Sequence, residues 1–206
     1  EEWRIKDTER AVRAMELALT AEPDYLLLHA SGAIVLASPD LFRQYALPGI
    51  KAMAHLAREA GVPTMLHACG KSRTLLDILA DETEVDLLNP IEGFPAGDVD
   101  LAEAKATRGS QISLMGNLHT SNVMLFGTPA DVEREALLAM AAAGKGGRFL
   151  LSTGDQCPRD TPDGNIFKLV ETATRYGTYD TDGSLPLVEE ALSHIEPSGG
   201  TTRAGR

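Results

Sequence analysis

The chain has 206 residues, of which 43% are hydrophobic and 24% charged, and this length and composition are typical of a single globular domain with a buried core. Thirty acidic and nineteen basic residues give a formal net charge of −11, which argues against nucleic acid or an anionic membrane as the main partner. No apolar run of about 18 residues and no secretory leader is visible, so we expect no membrane span and a cytoplasmic location. Two cysteines are too few for a disulfide scaffold and form either a metal or redox pair or two buried side chains.

Short apolar runs alternate along the chain with longer segments of helical pattern. We expect five strands, at 24–29, 62–67, 85–89, 111–115 and 148–152. We expect helices over 7–21, 39–59, 72–80, 101–107, 129–143 and 165–176. This alternation is typical of parallel βα units, whose strands are covered on both faces. The tail 197–206, rich in Ser, Gly, Thr and Arg, is expected to be disordered.

Several helix boundaries carry local signals. Ser38 can cap the helix over 39–59, and Pro48 predicts a break or kink within it. The helix over 129–143 should open with a capping box at Thr128 and Asp131.

Polar and metal-capable side chains gather where the expected strands end. Ligands of parallel α/β folds bind at the carboxyl ends of the strands, whereas the opposite strand ends of this chain look like plain turns. The carboxyl ends read His29-Ala30-Ser31-Gly32, His67-Ala68-Cys69-Gly70, Asn89-Pro90-Ile91-Glu92-Gly93, Gly116-Asn117-Leu118-His119 and Thr153-Gly154-Asp155-Gln156-Cys157. No dinucleotide-binding or Walker A motif occurs, so a nucleotide site has no motif support. We expect the functional site at this edge.

His67 and Cys69 are two residues apart at a strand end, so their side chains point to the same face. Cys157 lies in the loop after the last strand and would meet them at the mouth of a closed barrel. A neutral imidazole and two thiolates are a common zinc set, and three protein ligands with a fourth position open are the catalytic arrangement. The alternative is packing, because a free cysteine is among the most often buried side chains.

Other side chains at these strand ends have two interpretations each. Glu92 is a fourth ligand or a base, or else a solvated loop carboxylate. Asn117 binds substrate or caps its loop, and Asp155 orients a ligand or forms a turn. His29 and His119 line the site or have structural roles only.

An ordered set of motifs resembles a known family. The set comprises Val62-Pro63 leading into His67-Ala68-Cys69-Gly70, Asp100 to Lys105, Leu114-Met115-Gly116-Asn117-Leu118, and Leu151 to Gly154 followed by Thr161-Pro162 and Asn165. In order and spacing, from about 24 to 176, it is similar to the uroporphyrinogen decarboxylase superfamily. The similarity is greater to the branch of corrinoid-dependent zinc methyltransferases.

The resemblance implies a (β/α)8 TIM barrel, of which this chain holds only about the last five βα units over 1–196. Five strands cannot close a barrel of this kind. On this resemblance, we expect the chain to be a fragment, a truncated product, or a part that a partner completes.

The resemblance also implies function. The zinc motif of the methyltransferases is matched by His67, Cys69 and Cys157, whereas the Gly-His-Gly of the decarboxylases corresponds to Gly154-Asp155-Gln156, without the histidine. The implied activity is zinc-dependent methyl transfer between a corrinoid protein and a thiol or folate acceptor. The implied cofactors are Zn²⁺ and a methyl-corrinoid, and a homodimer is the implied assembly. The alternatives are decarboxylation of a porphyrinogen and a non-catalytic barrel fragment.

Overall fold

The protein is represented by a computed structural model that describes residues 1–29 and 38–194, without the side chain of His29. The tail expected at 197–206 and the strand end at 30–32 lie outside the described residues. Within the described ranges, no helix is both long and apolar enough to cross a membrane.

The centre of the fold is a five-stranded sheet whose strands follow one another in chain order, and every neighbouring pair is parallel. The strands are β1 (Leu26–His29), β2 (Thr64–His67), β3 (Leu87–Asn89), β4 (Ser113–Leu118) and β5 (Phe149–Thr153). This arrangement confirms the α/β class and the five sequential βα units. Strand β4 extends three residues beyond the expected end at 115, because its pairing with β5 continues to Leu118.

Seven α-helices of eight residues or more occur in the described ranges. They are α1 (Glu2–Leu19), α2 (Leu47–Glu59), α3 (Arg73–Glu82), α4 (Leu101–Arg108), α5 (Pro129–Ala143), α6 (Asp163–Tyr176) and α7 (Pro186–Ser193). Helix α7 was not expected from the sequence. Its buried Val188 and the preceding Leu185 pack against Leu137 and Met140 of α5, so tertiary packing stabilises this short segment.

The helix expected over 39–59 is interrupted where Pro48 predicts a break. A single α-helical turn (Pro39–Leu41) is capped by Ser38, whose Oγ accepts from the Leu41 N–H at 3.2 Å. A π-helical turn (Phe42–Ala46) then leads into α2. Because Pro48 has no N–H to donate, the wider turn falls just before it. A second π-helical segment (Thr120–Leu125) follows β4 and was not expected.

The two faces of the sheet have different environments. One face, here called the covered face, packs into the hydrophobic core with side chains that are at most 2% exposed: Leu28, Leu66, Leu88 and Leu114. The other, here called the open face, carries alternate side chains that are exposed or only partly buried, which include Leu27, Met65, Leu87, Met115 and Leu150. Most of the latter line a groove of about 420 Å³.

The capping box of α5 forms as predicted. The Thr128 Oγ1 accepts from the Asp131 N–H at 3.3 Å, and Asp131 Oδ2 accepts from the Thr128 N–H at 2.8 Å. Hydrogen bonds from the backbone and the hydroxyl of Thr128 lower the pKa of Asp131. The box therefore fixes the point at which the chain enters α5 from the loop after β4.

Candidate metal centre

His67 ends β2 with its side chain on the open face, between two polar partners. The parallel register places it beside Asn89, the last residue of β3. His67 Nδ1 lies 2.9 Å from Asn89 Oδ1, and His67 Nε2 lies 3.8 Å from Asp155 Oδ1 in the loop after β5. The ring therefore presents Nδ1 to the neighbouring strand and Nε2 to the carboxyl edge of the sheet.

Three ligand-capable side chains meet at this edge. One donor atom each from His67, Cys69 and Asp155 lies within 4.8 Å of the other two, and all three residues are partly buried. In the part of the chain that the structure describes, this is the only group of three or more His, Cys, Asp or Glu side chains with such spacing. Zinc ligands bind at about 2.0–2.3 Å and stand about 3.3–3.8 Å apart in a tetrahedron. The imidazole, thiol and carboxylate could hold a metal ion after their donor atoms move about 1 Å closer together.

Cys157, the third ligand implied by the resemblance, is not in this group. It lies two residues beyond Asp155 on the same loop, partly buried and packed against the hydrophobic core. The structure thus brings together two of the three expected ligands, and the third position is taken by Asp155, which was expected only to orient a ligand or form a turn.

Glu92 is buried, with 8% of its surface exposed, so the interpretation as a solvated loop carboxylate is wrong. Its Oε2 accepts from the Gly70 N–H at 2.5 Å. Gly70 has a φ of +85°, a conformation that favours glycine. A Cβ on Gly154 would lie 3.5 Å from Glu92 Oε1. Glu92 thus packs between the loop that carries Cys69 and the loop that carries Asp155.

A pocket of about 200 Å³ lies beside Glu92. It is formed at the ends of β3, β4 and β5, and its lining includes Glu92, Phe94, Asn117, His119, Glu135 and Gly154. Asn117 and His119 therefore line a cavity at this edge. The expected contribution of the His29 side chain lies outside the described residues.

His119 also caps the π-helical segment after β4, a role that sequence reasoning missed. Its Nδ1 accepts from the backbone N–H groups of Ser121 and Asn122 at 3.2 and 3.0 Å. Nδ1 is therefore an acceptor, so a neutral ring carries its proton on Nε2.

Sequence reasoning missed two further polar residues at this edge. Asn89 contacts His67; the one sequence feature that could have indicated this is its position at a strand end, one βα unit after His67. Asp98 Oδ1 accepts from the backbone N–H groups of Ser72 and Arg73 at 2.9 and 3.1 Å. This second contact holds the start of α3, which follows the Cys69 loop, and no short-range pattern in the sequence signals it.

Comparisons with known proteins assign the family. A sequence profile described as uroporphyrinogen decarboxylase (URO-D) matches residues 8–176. The methylcobamide:CoM methyltransferase MtbA of Methanosarcina mazei is 31% identical over 150 residues, which cover 73% of this chain and 41% of MtbA. The methylcobamide:CoM methyltransferase MtaA of Methanosarcina barkeri is 28% identical over 188 residues, which cover 84% of this chain and 51% of MtaA.

A solved structure shows the same fold. A methyltransferase from Methanosarcina mazei superposes with a TM-score of 0.68 at 24% sequence identity, covering 83% of this chain and 48% of that protein. The five-stranded sheet therefore matches part of a TIM-barrel methyltransferase, as the resemblance implies. The chain spans about half the length of the relatives it matches. It belongs to the uroporphyrinogen decarboxylase family, on the branch that includes the methylcobamide:CoM methyltransferases.

Proposed function

We propose that this chain takes part in zinc-dependent methyl transfer between a corrinoid and a thiol or folate acceptor. The observation that carries the proposal is the grouping of His67 and Cys69 with a third donor at the carboxyl edge of the sheet. The grouping occurs in a family branch whose relatives are methylcobamide methyltransferases. A corrinoid protein is the expected partner, and we expect the reaction in the cytoplasm, in a homodimer.

We assign zinc binding to His67, Cys69 and Cys157. Thiolates are favoured zinc ligands, and Cys157 follows Asp155 by only two residues on a loop. Asp155, which now occupies the third position of the group, would give way to Cys157 and remain beside the His67 ring. Zinc held there would supply Lewis-acid activation of a thiol, which favours the deprotonated nucleophile at neutral pH.

The other side chains at this edge bind and position. Glu92 holds the Gly70 backbone and thereby the turn that presents Cys69. Asn117 and His119 line the adjacent pocket, where an amide and a fixed Nε2–H can hydrogen-bond an acceptor molecule. Because Glu135 lines the same pocket, polar groups of both donor and acceptor character would be available to a molecule bound there.

The proposal is tested by methyl transfer from methylcobalamin to coenzyme M or 2-mercaptoethanol, followed by the change in corrinoid absorbance. Cys69→Ser and Cys157→Ser should each abolish zinc binding, since each removes a ligand. Each should also lower the rate of methyl transfer at least 100-fold, which raises the activation free energy by about 3 kcal/mol. Asp155→Asn should keep zinc, as should the control Asp160→Asn, which alters an exposed carboxylate on the same loop. Methyl transfer by a zinc-free protein would contradict the proposal. Loss of zinc in Asp155→Asn but not in Cys157→Ser would show that Asp155, and not Cys157, is the third zinc ligand.

Decarboxylation of a porphyrinogen is the second candidate, because the matching family profile is described by that activity. The expected outcome is no decarboxylation of uroporphyrinogen, since Asp155 stands where the decarboxylases carry a histidine. Porphyrinogen turnover that is unaffected by Cys69→Ser would favour this candidate over methyl transfer.

A non-catalytic fragment is the third candidate, because the open face of the sheet leaves Leu27 and Leu150 more than 40% exposed. Such a face favours self-association. An assembly in light scattering that holds no zinc and transfers no methyl group would favour this candidate.

A further inference from the structure

The imidazole of His67 has two nitrogens, and only one of them can bind a metal in the neutral ring. Nε2 faces the group at the carboxyl edge, 3.8 Å from Asp155 Oδ1. Nδ1 faces the neighbouring strand, 2.9 Å from Asn89 Oδ1. An amide oxygen only accepts hydrogen bonds, so Nδ1 must donate its proton to it. The neutral ring then keeps its lone pair on Nε2.

The backbone places Asn89 at this position. The register of β2 and β3 pairs His67 with Asn89, and the Ala68 N–H donates to the Asn89 carbonyl at 2.7 Å. Because paired residues of parallel strands project from the same face, the amide of Asn89 lies on the open face beside the imidazole. Both residues are partly buried, which limits competition from water for the Nδ1 proton.

We propose that Asn89 is a positioning residue of the metal centre: its side-chain oxygen holds His67 as the Nδ1–H tautomer and directs Nε2 to the metal. This inference rests on the proposed function for the identity of the metal, but the tautomer itself does not depend on it. Partners that orient a metal-binding histidine typically contribute about 10–100-fold to metal affinity.

The tautomer is measured first, in the zinc-free protein, by long-range ¹⁵N–¹H correlation of the histidine rings at a pH where they are neutral. The chain has five histidines, and His67→Gln identifies the signals of His67. We expect Nδ1 to be protonated in the unsubstituted protein and in Asn89→Asp, whose carboxylate also accepts from Nδ1. Asn89→Ala should shift the ring toward the Nε2–H form. A His67 ring protonated on Nε2 in the unsubstituted protein would overturn the proposal.

Zinc affinity is measured next, by competition with a chromogenic chelator. Asn89→Ala should raise the zinc dissociation constant about 10–100-fold, and Asn89→Asp should stay within about threefold of the unsubstituted protein. Asn122→Ala, which alters an exposed asparagine after β4, is the control and should leave both readouts unchanged. Equal affinity in Asn89→Ala and Asn122→Ala would overturn the role of Asn89. Absence of zinc binding in the unsubstituted protein would contradict the proposed function, and the tautomer would still decide whether Asn89 orients His67.

Discussion

The covered and open faces of the sheet differ in what their side chains contact. On the covered face, Leu28, Leu66, Leu88 and Leu114 are at most 2% exposed and pack into the hydrophobic core. On the open face, Leu27 and Leu150 are 43% and 46% exposed, and the polar residues His67 and Asn89 stand in the same face at the carboxyl edge. The stability of the fold should therefore depend on the covered face, and the chemistry on the edge of the open face.

The largest expected effect compares one leucine from each face. Leu66→Ala removes a side chain that is 0% exposed and should lower the free energy of unfolding by about 2–5 kcal/mol. Leu150→Ala, at 46% exposed on the open face, should lower it by only about 0.5 kcal/mol. Urea unfolding followed by circular dichroism measures both. Equal losses would show that the open face is buried in the protein in solution, and would contradict the difference between the two faces.

Glu92 connects the two regions, because it is buried yet belongs to the edge. Glu92→Ala would leave the Gly70 N–H without its acceptor, which should lower the free energy of unfolding by about 1–3 kcal/mol and reduce the zinc content. Glu92→Gln keeps an oxygen in place and serves as the matched control for stability. Urea unfolding and elemental analysis give the two readouts. An Ala variant as stable as the Gln variant would refute the structural role of this hydrogen bond.

The capping box of α5 tests whether stability can change without any change at the metal centre. Thr128→Ala removes the hydroxyl that accepts from the Asp131 N–H and should lower the free energy of unfolding by about 1 kcal/mol. Its zinc content should equal that of the unsubstituted protein. A loss of zinc from this variant would mean that the helix start and the metal centre are coupled.

The smallest expected effect is the pH dependence that Asp131 contributes. Hydrogen bonds from Thr128 lower the pKa of Asp131 in the folded protein below the ordinary value of an aspartate. A carboxyl with a lowered folded pKa stabilises the fold above its unfolded pKa, and this contribution is lost as pH falls through the folded pKa. The stability difference between the unsubstituted protein and Asp131→Asn should be constant from pH 5 to 7 and shrink below about pH 4. A stability difference that grows as the pH falls would contradict a lowered pKa of Asp131 in the folded protein.

The alternation of strands and helices could be predicted from the sequence, because this alternation depends on local patterns of apolar and polar residues. The apolar runs located all five strands, and the polar residues at Ser38 and Thr128 marked helix starts that the structure confirms. Helix α7 was not predicted because it depends on packing against α5. The two π-helical segments were not predicted because no sequence pattern distinguishes them from ordinary helical turns.

The site was predicted in part. His67 ends β2 and Cys69 follows it by two residues, so their spacing alone placed them together. The third position depends on the path of the loop after β5, which puts Asp155 rather than Cys157 within the group. Asn89 contacts His67 only through the register of two strands 22 residues apart in the chain. Short-range patterns carry no information about such contacts.

The most direct test of the account is the zinc content of the protein purified without added metal, determined by elemental analysis beside Cys69→Ala and Thr128→Ala. The account predicts about one zinc per chain in the unsubstituted protein and in Thr128→Ala, and none in Cys69→Ala. Equal zinc in all three proteins, or none in any of them, would contradict a metal centre at His67 and Cys69.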